Sequence, residues 1–171
     1  MPVAADAGSP REYDVLIAGA GLVGLALAPA LAQLGLRVAL ADRSPVTMPA
    51  LAGGEADWDT RVYAISPGSA AFLRAVGAWQ ALAPERIGAI ETMRVTGDGG
   101  GSLSFSAYDL GERALAWIVE ERELRAALVP CARIAGVDTY ARRCYATLKW
   151  SADSGVLGFD DATGVAAREA R

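Results

Sequence analysis

The run Tyr13-Asp14-Val15-Leu16-Ile17-Ala18-Gly19-Ala20-Gly21-Leu22-Val23-Gly24 decides how this 171-residue chain is read. Its first half is short, rich in β-formers and apolar after Asp14, the pattern of a parallel strand covered on both faces. Its second half spaces three glycines as G-x-G-x-x-G. The first permits a tight turn, the second lets a diphosphate approach the backbone, and the third lets the following helix press against the strand. Open amides and the dipole at that helix start favour an anion. The candidate cradle is therefore Gly19, Ala20, Gly21, Leu22, Val23 and Gly24.

Working outward, a helix is expected from about Leu22 to Leu34, with Ala26, Ala28 and Ala30 allowing close packing on a sheet and Gly35 as its stop. Pro29 opposes it, at a cost of ~3 kcal/mol or a kink, but lies beyond the first turn. A second strand follows, Arg37-Val38-Ala39-Leu40-Ala41. Asp42 closes it, 21 residues beyond Gly21, where an acid accepts hydrogen bonds from an adenosine ribose. Arg43, next in the chain, joins the candidate set. One rival reading takes the uncharged stretch 15–36 as a membrane-spanning helix. Glycines at 19, 21, 24 and 35 together with Pro29 argue for strand, turn and helix instead.

Composition narrows the chemistry. Apolar residues make up 53%, enough for a real core, and 16 basic against 20 acidic residues give a net charge of −4. No cationic surface is available for nucleic acid. The two cysteines, Cys131 and Cys144, form neither a disulfide framework nor a zinc pattern. Histidine is absent, which removes Ser-His-Asp and Cys-His machinery and every His-ligated metal site. Chemistry must then come mostly from a bound cofactor. Residues 1–12 read as a disordered tail without a secretory signal, and a cytoplasmic setting is expected.

Downstream, Asp57-Trp58-Asp59-Thr60-Arg61-Val62-Tyr63-Ala64-Ile65-Ser66 leads into Pro67-Gly68-Ser69-Ala70-Ala71-Phe72-Leu73 and then Val76-Gly77-Ala78-Trp79. Ser66 and Pro67 read as cap and first position of a helix. The whole stretch resembles the FAD-dependent aromatic hydroxylases of the p-hydroxybenzoate hydroxylase type, in the branch acting on ubiquinone precursors. In that branch an Asp-x-Arg-x-x-Ala-(Ile/Leu)-Ser segment leads into a helix ending near Leu-Gly-x-Trp. The resemblance assigns Arg61 to the cofactor diphosphate, which a guanidinium suits through its paired donors. The alternative for Arg61 is a surface pair with Asp57 or Asp59.

Residues 90–108 alternate around Gly97-Asp98-Gly99-Gly100-Gly101 and predict a β-hairpin. In the resembling family such strands begin the substrate-binding layer; a surface hairpin without ligand contact is the other reading. Leu115-Ala116-Trp117-Ile118-Val119 predicts a strand, and the charged run from Glu120 to Leu128 a helix stopped near Pro130. The family has a Val-Glu-Asn-Arg-like segment here. It places Arg122 near the flavin's ribityl or diphosphate, while Glu121 replaces the asparagine with a carboxylate that a diphosphate would disfavour. With that carboxylate in place, a solvated helix face is the reading the cluster favours. Beyond Pro130, a third parallel strand near 137–140 and an antiparallel meander over 144–150, 156–159 and 164–167 are expected.

The predicted fold is thus α/β: a Rossmann-like FAD/NAD(P)-binding fold with a parallel sheet, an antiparallel meander and a hairpin of the substrate layer, over a partial FAD-binding domain 13–171. Family segments carrying Gly-Ala-Asp-Gly and a later Gly-Asp are absent, so the chain reads as an amino-terminal portion with negligible hydroxylase activity of its own. The resemblance implies FAD as cofactor, NAD(P)H as transient reductant, dioxygen, an aromatic quinone precursor as substrate, and peripheral association with a membrane-bound ubiquinone-synthesis complex. Two alternatives stay open. One is a residual FAD- or ADP-binding module; the other is a plain NAD(P)-dependent dehydrogenase, which would need strands and helices alternating regularly after Asp42.

Overall fold

The computed structural model describes residues 13–49, 58–141, 143–150 and 155–161, with side chains described up to residue 140. The expected tail, Asp57 and the strand expected at 164–167 lie outside the described residues. Two compact units divide the chain: residues 1–46 with 133–171, and residues 47–132.

The first unit is built on β1 (Val15–Ala18), α1 (Leu22–Gln33) and β2 (Val38–Asp42). Strand β1 pairs in parallel with β2, and β2 in parallel with β8 (Asp138–Ala141), giving the order β1-β2-β8. The stretch 15–36 is therefore strand, turn and helix. Among the described residues, no helix is long and apolar enough to cross a membrane. Val38 to Ala41 are buried, as a strand with neighbours on both sides should be, whereas β1 is only partly covered. Pro29 sits fully buried inside an unbroken α1 beside Leu25 and Ala28. Burial offsets the hydrogen bond it forfeits. Gly35, at φ +84°, ends the helix as expected. At the amino end of the sheet, the Tyr13 hydroxyl donates to Asp138 Oδ2 at 2.7 Å and shares a hydrogen bond with Tyr140, which tethers the entry to β1 across β2. Burial, then those two bonds, push the Tyr13 phenol above its ordinary range. Strands β9 (Arg143–Trp150) and β10 (Gly155–Asp161) pair antiparallel, the first two strands of the expected meander.

The second unit holds an antiparallel sheet of order β3-β7-β4, from β3 (Val62–Ile65), β4 (Ile87–Ile90) and β7 (Ala116–Glu120). Helix α2 (Pro67–Ala75) begins at Ser66, whose Oγ accepts from Ser69 N at 3.2 Å, and Gly77 turns the chain at φ +85° toward Trp79. The Trp79 and Trp117 rings meet edge to face at 5.5 Å, with the Arg74 guanidinium 4.8 Å from the Trp79 centroid. The hairpin is β5 (Thr92–Thr96) against β6 (Ser102–Ser106), while Ile90 belongs to β4. Register pairs Met93 with Phe105 and Val95 with Leu103, so these four share one face, and all four are exposed.

Helix α3 (Glu121–Ile134) corrects the expected stop near Pro130, which lies inside it. The buried residues Val129 and Ala132 flank the proline and hold the helix through it, offsetting a cost of ~3 kcal/mol.

Candidate functional site

The glycine turn does what the spacing requires. Gly19 adopts φ +107°, closed to most side chains, and its N–H donates to Ala41 O at 2.7 Å, locking the turn to β2. A Cβ on Gly24 would lie 2.0 Å from Gly19 O and 3.3 Å from Ile17 Cγ2. Only glycine therefore lets α1 approach β1. Gly21 differs: it is extended at φ −72°, and a Cβ there would have no neighbour within 4 Å. Space opens above the backbone where a ligand would approach. No side chain caps α1 and its first turn carries no acid. The amides of Leu22, Val23 and Gly24 begin a helix and lack intrahelical acceptors, so an anion is the partner their geometry suits.

Asp42 lies at the carboxyl end of β2 as expected and is tied to the turn. Its Oδ2 accepts from Ala20 N at 2.7 Å and its Oδ1 from Ser44 N at 2.8 Å. The Ala20 amide thus orients the carboxylate. Arg43 is exposed just beyond.

In the second unit, Arg61 precedes β3 and is three-quarters exposed. Its Nη1 lies 3.3 Å from Glu121 Oε2, so among the described residues its side-chain partner is one 60 residues along and not Asp59, while Asp57 lies outside the described residues. Asp59 holds the backbone instead: its Oδ1 accepts from Arg61 N at 3.0 Å and its Oδ2 from Arg122 N at 3.2 Å. Glu121 N donates to Arg61 O at 2.9 Å. Segments 59–61 and 120–122 are therefore stitched together beyond the end of the β3–β7 ladder.

The charged cluster is not a solvated helix face. Glu120 is the last residue of β7, 3% exposed, and accepts from Arg86 Nη1 at 2.9 Å, Arg122 Nη2 at 3.4 Å and Asp59 N at 2.6 Å. Burial pushes its pKa up, but the Asp59 amide, Arg86 and Arg122 together hold it below its ordinary value. Asp59 is likewise held low, first by the Arg61 amide and then by Arg122. Arg86 also lies 4.3 Å from the Trp58 ring centroid. Sequence reading missed Arg86 and Glu120; the available signal was a carboxylate ending an otherwise apolar strand.

A family model described as an FAD binding domain matches residues 12–144. The chain belongs to the FAD-binding domain family. An uncharacterized protein of Synechocystis sp. is 32% identical over 122 residues, covering 71% of this domain and 28% of that protein. Among solved structures, p-nitrophenol 4-monooxygenase of Pseudomonas putida is similar with a TM-score of 0.69 and 17% identity, covering 95% of this chain and 39% of that one. Anhydrotetracycline hydroxylase of Streptomyces rimosus gives 0.70 and 19%, covering 94% and 30%. Aklavinone-11 hydroxylase, solved with FAD and aklavinone, gives 0.63 and 20%, covering 95% and 32%. These likenesses establish the fold, and this FAD-binding domain spans well under half the length of each relative. The open space over Gly21, the uncapped α1 and the anchored Asp42 fit the adenosine diphosphate half of FAD.

Proposed function

We propose that this domain holds FAD for a flavin-dependent monooxygenase. The observation that carries the reading is the glycine turn, where Gly24 alone permits the helix–strand approach and Gly21 leaves room at an uncapped helix start. In this reading the amides of Leu22, Val23 and Gly24 receive the diphosphate and Asp42 the ribose, with Ala20 setting the carboxylate. Gly19 shapes the bend, Arg43 flanks the ribose, and Arg61 and Arg122 are assigned to the diphosphate and ribityl chain. When bound, the flavin supplies the redox chemistry that, with NAD(P)H and dioxygen, places one oxygen on an aromatic ring. The protein's own residues bind, orient and neutralise.

For the substrate we propose a quinone precursor such as a polyprenyl phenol. Support comes from the Asp59-Thr60-Arg61 segment leading through Ser66 into α2 and Trp79, and from the apolar face of the β5–β6 hairpin, which offers cover for an aromatic ligand. A cytoplasmic setting with peripheral association to a membrane-bound quinone-synthesis complex accords with that substrate.

Titration of flavin fluorescence against the purified 171 residues tests the reading. Saturable FAD binding that ADP displaces is expected, without hydroxylated product from NADPH and a phenol on these residues alone. Failure of FAD and ADP to bind at millimolar concentration sinks it.

A further inference from the structure

We propose that Glu121 sets the affinity of this domain for its dinucleotide by competing with the diphosphate for the Arg61 guanidinium. The inference rests on the reading that Arg61 serves the cofactor, and adds a residue which opposes binding.

The geometry is a partly buried carboxylate beside an exposed cation. Glu121 opens α3, its side chain is one-quarter exposed, and its amide is bonded to Arg61 O at 2.9 Å. The Arg61 backbone is held from the other side by Asp59. Both main chains are therefore pinned next to each other, and the more exposed of the two side chains is that of Arg61, at three-quarters. Among the described residues, a 3.3 Å contact to Glu121 Oε2 engages that guanidinium. A diphosphate offers paired acceptors and takes it from a singly bonded carboxylate. Because its amide stays bonded to Arg61 O, Glu121 stays within reach of that guanidinium, so an anion must displace the ion pair to use it. Nor does the start of α3 compensate, since Asp59 already occupies the Arg122 amide.

Glu121→Gln removes the charge and keeps the shape. FAD and ADP, titrated calorimetrically into the parent chain, E121Q, R61Q and the double variant, give the test, with AMP as the ligand lacking a diphosphate. Melting temperatures check that each variant folds, and E121A serves if E121Q does not. E121Q is expected to bind FAD and ADP about three- to tenfold more tightly and AMP less than twofold, a gain that shrinks with added salt. In the R61Q background the gain should fall to less than half, because the competition acts through the guanidinium.

The outcomes separate the two layers. If R61Q weakens FAD while E121Q leaves it unchanged or weaker, the competition is overturned and the cofactor reading of Arg61 stands. Where R61Q binds FAD as the parent does, that reading fails and the inference with it. An E121Q gain undiminished by R61Q overturns the route through Arg61. Absence of FAD and ADP binding in every variant overturns both.

Discussion

Helices α1 and α3 both begin at the end of an apolar strand, and their first turns are opposites. At α1 no side chain caps the backbone, no acid enters the first turn, and glycines clear the space in front. At α3, Asp59 takes the Arg122 amide, Glu121 and Glu123 fill the first turn, and Glu120 is clamped behind them by Arg86 and Arg122. One dipole is left for an outside anion; the other is spent on the protein's own carboxylates. A helix start thus becomes a ligand site through what is kept away from it.

The largest effect should come from the closed start. Glu120→Ala leaves Arg86 and Arg122 without their buried carboxylate and should cost about 3–5 kcal/mol, read as a collapse of the urea midpoint at unchanged slope. A loss under ~1 kcal/mol would mean that water replaces Glu120 and the clamp is ornamental. At the open start, Gly24→Ala forces a Cβ against Gly19 O, so α1 must move away from β1; about 1–3 kcal/mol of stability should go with it, together with FAD binding. Gly21→Ala sharpens the contrast. Its backbone accepts alanine and the space is open, so the melting temperature should hold or rise slightly while FAD affinity falls about tenfold, a loss of ~1.4 kcal/mol. Equal damage to folding from both alanines would erase the distinction between the packing glycine and the ligand glycine.

Acid should act more gently and on the closed start first. Glu120 and Asp59 have depressed folded pKa values, so the stability they contribute is fully present above their unfolded values. It is lost as pH falls through the folded values, beginning below the ordinary glutamate value of 4.5. Denaturant melts between pH 7 and 3 should show that decline in the parent and a flatter profile in Glu120→Gln.

What was legible in the sequence follows the same division. The turn from Gly19 to Gly24 and the stop at Gly35 could be read because each glycine's task is local, and Asp42 because its distance from the turn is set by one helix. Hairpin alternation was visible for the same reason, its partners being a few residues apart. The clamp was not: Arg86 and Glu120 lie 34 residues apart, and Asp59 and Glu120 meet through a backbone amide. Glu120 heads a run of charges, so periodicity assigned it to a wet helix when it ends a buried strand. Both prolines misled in one direction, since a penalty known from local geometry is outweighed by burial that appears only in the fold.

The hairpin face formed by Met93, Val95, Leu103 and Phe105 carries a practical consequence. Anilinonaphthalene sulfonate, which lights up on accessible hydrocarbon, should fluoresce with this domain in its native state. Dye-based thermal scans would then start from a bright baseline and understate the transition, so circular dichroism is the sounder reporter of its melting.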